Sequence, residues 1–364
     1  MEIKKSNIAY IVFMFLFSLS IINLIHLGTD RALKEIAHNT INLTFTLLVG
    51  IFLYLVIVKR NYEDLRKLWQ VLALFCLFAI IYVVSYYINI ETANKDYLVR
   101  LLFAFLSIFT MTLIKWDRKA TVIFGYLLTV VLFILFLDWA HHDFPFSKFK
   151  GNHFGNINGL GVTLFCFSYF LILAVRYSTG AHRILFTVSL ALNLLLLFTT
   201  SSRTPMLALV IILVGSLFIK LFKSYRIWFL LTVVGSAMLV PFYLWFQNTK
   251  LSGIINEWSL AVFNKSLYTG REDIWGPLLK AAMESTIIGH GIGIDGRQFV
   301  RFTAHNQYIQ TLLEVGFIGL IVFLVLLYFI YDMLVKNKAV FAARLSALYF
   351  CGILIYEVFE LTLF

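Results

Sequence analysis

Three residues in the second half of the chain carry chemistry that a simple apolar helix would not need. They are Arg203 in the turn Thr199 to Pro205, Arg271 early in a long polar stretch, and His305 at the end of that stretch. A guanidinium is permanently charged and its planar fork matches phosphate oxygens. Two of them with one imidazole would suit a diphosphate-linked molecule, provided the fold brings them together. Asn306 beside His305, with Asn156 and Asn158 further upstream, are candidate supporting groups. Glu357 and Glu360 share one helix face. As acids in apolar sequence they read either as charge partners for an arginine or as a sign that the last span lies differently. Each residue also has a plainer reading. An interfacial arginine snorkels to the headgroups, an interfacial histidine can be ordinary, Arg271 can be a charged loop residue, and Asn156 and Asn158 read first as caps of the helix that follows. His153 and His290 read as solvated loop residues. No metal site is expected: His141-His142-Asp143 comes nearest to a cluster, and adjacent residues rarely hold one ion well.

The elements that must position these groups are membrane helices. With 61% hydrophobic and 13% charged residues in 364, the chain cannot be an ordinary soluble domain, where about a quarter of residues are charged. Mean hydropathy is +0.88. Apolar runs fall near 8–25, 41–58, 68–90, 97–114, 120–139, 157–175, 184–200, 205–222, 227–246, 304–331 and 345–364. These lengths suit transmembrane helices and are too long for barrel strands, so the expected fold is an all-α polytopic bundle of about 11 spans, within a range of about 10–12. Cys76, Cys166 and Cys351 lie inside apolar runs without paired spacing and read as packing residues. The first run follows Lys4 and Lys5 and reads as a span, because no small-x-small cleavage site comes after it.

The net charge of +11 is spread among short loops and forms no dense block, which argues against nucleic acid. It reports orientation. With the N-terminus inside, lysines and arginines concentrate in alternate loops, among them Lys59, Arg60, Lys119, Arg183, Lys223, Arg226, Lys336 and Lys338, and are sparse in the others. This places Arg203, His305 and the long loop of residues 247–303 outside the cytoplasm. The expected organisation is a transmembrane bundle over 1–246, the loop over 247–303, and C-terminal helices over 304–364, forming one structural domain. Within the loop, short helices are expected at 253–264 and 272–285, the second interrupted by Gly276-Pro277, followed by the glycine-rich turn Gly289 to Gly293. If His305 begins the next helix, Tyr308, Leu312, Gly316 and Gly319 share its face, and the two glycines admit a neighbouring helix. Glu314 lies about half a turn out of phase with His305 and so faces elsewhere.

Four short stretches carry a resemblance. His305-Asn306, nine residues, Gly316, two residues, Gly319 resembles the loop signature of the bacterial O-antigen ligase and polysaccharide polymerase superfamily. Arg203, three residues, Leu207 is similar to that family's second signature. Phe154-Gly155-Asn156-Ile157-Asn158 is similar to a recurrent Phe-x-Asn-Pro-Asn stretch, departing from it at Ile157, and Gly270 to Trp275 resembles the start of the family's large loop.

The resemblance implies a glycosyltransferase of the bacterial cytoplasmic membrane, working at the outer face; with no paired-carboxylate motif in the outer segments and two arginines to offset the leaving charge, no metal or cofactor is expected. The enzyme would move an oligosaccharide from undecaprenyl diphosphate onto a glycan acceptor. Arg203 and Arg271 would bind the donor diphosphate, and His305 would take the acceptor hydroxyl proton, which suits an imidazole at neutral pH. Repeat-unit polymerisation is the first reading, with a chain-length regulator protein as a further partner, and ligation of glycan to the lipid A core the second. A polysaccharide flippase is the rival from another class. Transporters, however, usually hold their essential charges at mid-membrane between repeated halves, and no repeat is visible here.

Overall fold

The computed structural model describes residue 66, residues 68–95, 97–99, 101–102, 117–142, 157–200, 202–263, 266, 270–294, 299–300 and 304–360. The helices, in chain order, are α1 (Trp69–Ile88), α2 (Arg118–His142), α3 (Ile157–Tyr177), α4 (Gly180–Thr199), α5 (Arg203–Phe222), α6 (Tyr225–Phe246), α7 (Lys250–Phe263), α8 (Glu272–Glu284), α9 (Gln307–Lys336) and α10 (Phe341–Phe359). Among the described residues, eight of these are long and apolar enough to cross a membrane, all but α7 and α8. The protein is therefore a polytopic helical membrane protein, and eight expected spans are matched to within a few residues. The expected spans at 8–25 and 41–58, and that at 97–114 beyond Leu102, lie outside the described residues, as does Asn156. Helix α8 runs through Pro277 without the expected interruption. Pro277 is the sixth residue of the helix, so the Asp273 carbonyl forgoes its usual donor four residues on.

The chain divides into two compact units, residues 1–66 with 106–209, and residues 67–105 with 210–364. In the first unit α2, α3 and α4 pack through one shared apolar core. Phe124, Leu128, Leu132, Leu135 and Trp139 recur every three or four residues along α2 and meet Leu164, Phe167 and Leu171 of α3 and Leu196 and Leu197 of α4. Polar side chains add ties where lipid offers no competing partner. Asn193 Nδ2 donates to the Leu164 carbonyl at 3.0 Å, and the Thr129 and Ser189 hydroxyls meet at 2.9 Å. Val130, Phe133, Ile134 and Leu137, on another face of α2, are exposed, as residues facing lipid should be.

In the second unit α9 is the central element, packing against α1, α6, α8 and α10. Phe78 of α1 stacks on Phe323, with ring centroids 5.5 Å apart, and Phe229 of α6 stacks on Tyr331 at 4.5 Å. The apolar face of α8, formed by Ile274, Trp275, Leu278, Ala281 and Ala282, lies on Ile309, Leu312 and Leu313.

Helix α9 is not continuous. Gly316 has φ 65° and ψ −166°, a backbone state almost confined to glycine, and the helical hydrogen bonds lapse around it. The end of the long loop fills the gap. His290 N–H donates to the Leu313 carbonyl at 2.7 Å and Gly291 N–H to the Glu314 carbonyl at 3.2 Å, while Phe317 N–H donates to the Thr286 carbonyl at 2.8 Å. The Ser85 hydroxyl also donates to the Glu314 carbonyl, at 2.6 Å. A Cβ on Gly316 would stand 2.4 Å from the Ile287 carbonyl, and one on Gly289 2.5 Å from the Glu314 backbone. Both glycines are thus required by close backbone approach. The neighbour admitted at Gly316 is this loop and not a helix, because only a loop brings free N–H and C=O groups to a helix break.

The Glu314 side chain completes the junction. It is fully buried and accepts from Gly293 N–H at 3.0 Å, Gln310 Nε2 at 2.9 Å and the Tyr82 hydroxyl at 3.1 Å. His290, expected to be solvated, is half-buried, with Nε2 2.8 Å from the Ala281 carbonyl.

Candidate functional site

His305 precedes α9 and is not part of it. Asn306 is the N-cap, its Oδ1 accepting from Ile309 N–H at 2.9 Å, and His305 adopts φ 44°. The expected common face from His305 through Gly319 therefore does not exist: the helix starts after His305 and breaks at Gly316. A left-handed backbone costs a non-glycine residue about 1 kcal/mol, so its neighbours must hold it. On one side Trp275 Nε1 donates to the Ala304 carbonyl at 3.0 Å, and both residues are fully buried. On the other side Asn306 is itself buried by its capping role.

The imidazole is turned toward the end of α10. His305 Nδ1 lies 3.3 Å from Glu360 Oε2, and Glu360 Oε1 lies 3.2 Å from Arg271 Nη2. Arg271 Nη2 also donates to the Phe359 carbonyl at 2.8 Å, and the guanidinium carbon sits 5.5 Å from the centre of the Phe359 ring. A cation is favoured there, at the C-terminal end of a helix. The three side chains differ in access: Arg271 and Glu360 are 16% and 12% exposed, His305 41%. Among the three, the imidazole is the one best placed to be reached from outside.

Of the residues expected to act together, Arg271, His305 and Glu360 are brought into one chain of contacts. Glu360 follows the last residue of α10, so of the two readings of this acid the charge partner for an arginine is the one observed. Glu357, one turn earlier, is buried, and nearby the Tyr308 hydroxyl ties α9 to α10 through the Leu354 carbonyl at 3.0 Å.

Arg203 and Asn158 belong to the first unit. Arg203 opens α5 and is half-buried, with Pro205 in the first turn, where a missing N–H costs nothing. The adjoining turn is fixed by Ser202, whose hydroxyl donates to Asn158 Oδ1 at 3.3 Å and whose N–H donates to Thr200 Oγ1 at 3.2 Å. Helix α3 begins at Ile157, so Asn158 lies inside it and ties it to this turn instead of capping it. Sequence reasoning missed the Trp275 anchor and the docking of the loop into α9. The only available signals were a tryptophan four residues after Arg271 and the glycine-rich run before His305.

Among the described residues, no group of three or more His, Cys, Asp or Glu side chains is placed to hold a metal ion. His305 and Arg271 can together offer a proton acceptor and a fixed cation. Residues 186–324 match the protein-family model described as O-antigen ligase, a segment containing Arg203, Arg271, His305, Asn306, Gly316 and Gly319. No curated protein and no solved structure matches the chain.

Proposed function

We propose, from the match of residues 186–324 to the O-antigen ligase family model, that the chain is a membrane glycosyltransferase that polymerises lipid-linked repeat units. The observation that carries the chemistry is His305. Its imidazole is accessible, while the backbone on either side is held by Trp275 and Asn306 in a conformation the residue would not choose alone. Groups held in this way are already oriented when substrate arrives.

The reaction is displacement at the anomeric carbon of a sugar on undecaprenyl diphosphate. The acceptor hydroxyl oxygen forms the new bond to that carbon as its proton passes to His305. The bond from carbon to diphosphate breaks, and its electron pair leaves with the phosphate. Arg203 offsets the charge that grows on the leaving group, a task suited to a fixed cation. The work takes place at the extracytoplasmic face of the cytoplasmic membrane.

The family description favours a second reading, ligation of glycan to a lipid A core. Purified protein given undecaprenyl diphosphate-linked repeat units alone should extend them into a ladder of products. Product formed only when lipid A core is added would identify a ligase, and no transfer under either condition would overturn the proposal. In the same assay His305→Ala should lose roughly 10²- to 10⁴-fold in kcat with donor KM little changed.

A further inference from the structure

We infer that Glu360 is the positioning residue of His305, and that Arg271 serves Glu360 in place of binding the donor diphosphate. The inference rests on the reading of His305 as the base and adds to it the groups that set its tautomer.

The argument begins with hydrogen-bonding capacity. An ionised carboxylate can only accept, so the contact between Glu360 Oε2 and His305 Nδ1 at 3.3 Å requires the proton to be on Nδ1. Neutral imidazole carries one ring proton. Nε2 is then left with its lone pair, and Nε2 is the atom available to an acceptor hydroxyl. When that hydroxyl proton moves to Nε2, the ring becomes a cation beside a fixed negative charge, which favours the transfer. No proton passes to Glu360. The logic is that of the carboxylate in a serine hydrolase triad, which orients and stabilises the imidazole without titrating.

Glu360 lies beyond the end of a helix, where its carboxylate needs more than one contact to hold its direction. Arg271 supplies the second through Glu360 Oε1 at 3.2 Å, and the same Nη2 donates to the Phe359 carbonyl at 2.8 Å. The Phe359 ring is 5.5 Å from the guanidinium carbon, and the side chain is only 16% exposed. To grip a diphosphate, Arg271 would have to turn away from a helix-terminal carbonyl and a carboxylate. The geometry therefore assigns the guanidinium to Glu360.

The test is a double-mutant cycle on the full chain in detergent or nanodiscs, with an undecaprenyl diphosphate-linked oligosaccharide as donor. Glu360→Gln should lower kcat by roughly 10²- to 10⁴-fold, because an amide can pair with either imidazole tautomer, while donor KM stays within about twofold. Glu360→Asp keeps the charge and should recover part of that loss, again without moving KM. Arg271→Gln should act on kcat in the same direction, and combining it with Glu360→Gln should be no worse than the more damaging single change. A raised donor KM for Arg271→Gln, with losses that multiply in the double variant, would make Arg271 a diphosphate ligand and overturn the inference. Wild-type kcat in both Glu360 variants would overturn it as well, while His305→Ala inactivity left the base intact. A fully active His305→Ala would instead mean that the base itself was misassigned. Size-exclusion profiles and thermal unfolding monitor folding, and if the Gln variant does not fold, the Asp variant decides.

Discussion

Gly316→Ala should be among the most damaging single-methyl additions in this protein. Two costs can be worked from the structure. The φ of 65° with ψ of −166° is a region that residues with a Cβ scarcely enter, at about 1–3 kcal/mol. The added carbon would also stand 2.4 Å from the carbonyl carbon and oxygen of Ile287, and 2.7 Å from Ile288 N. These are backbone atoms and cannot rotate away. Relief requires the loop to withdraw, which threatens the hydrogen bonds from His290, Gly291 and Phe317 N–H groups, at roughly 1 kcal/mol each. The expected destabilisation is about 3–5 kcal/mol. It should be read by equilibrium unfolding of the purified protein in mixed detergent micelles, with Gly235→Ala and Gly253→Ala as controls. Neither control meets any atom within 4 Å of its new carbon and both lie in helices, so each should be neutral or slightly stabilising. A Gly316→Ala protein as stable as the two controls would refute the account of the helix break.

Other outcomes follow from the site and the topology. In a background lacking the native cysteines, Gly253→Cys should react with a membrane-impermeant thiol reagent in intact cells and Lys338→Cys should not; the reverse pattern would invert the orientation. Transfer by the purified protein should survive excess chelator, and activity that required added magnesium or manganese would remove the arginine-only account of the leaving group. Arg203→Ala should raise donor KM and lower kcat together, with Arg203→Lys restoring only part, since lysine keeps the charge but not the fork. An Arg203→Ala enzyme with wild-type KM and kcat would take the diphosphate away from that residue.

Much of the scaffold was legible because twenty-residue apolar runs have one main explanation, whereas the site's contacts depend on tertiary geometry. Helices α2 to α6 begin and end close to where the hydrophobicity changes. The periodic apolar face of α8 marks a surface helix, which the structure places against α9. The pairing of His305 with Glu360 could not be read, since the two lie 55 residues apart and no local pattern links them. The shared face from His305 to Gly319 failed for a physical reason. A helical wheel assumes continuous helix, and the wheel has no place for an N-cap at Asn306 or for a glycine whose carbonyl neighbours are satisfied from outside. Glycine spacing signalled close approach correctly at Gly316, but spacing alone does not say whether the visitor is a helix or a loop.

The docking of residues 286–294 into α9 also bears on the order in which the protein is made. A broken helix is tolerated in lipid only if its free backbone groups find partners. Here the partners lie N-terminal to the break: His290 and Gly291 are synthesised some two dozen residues before Gly316. The plug therefore leaves the ribosome ahead of the socket. Helix α1, which supplies Tyr82 and Ser85 to the same junction, is older still in the nascent chain. When α9 reaches the membrane, each of these partners has already been made, and one span can close the joint by itself.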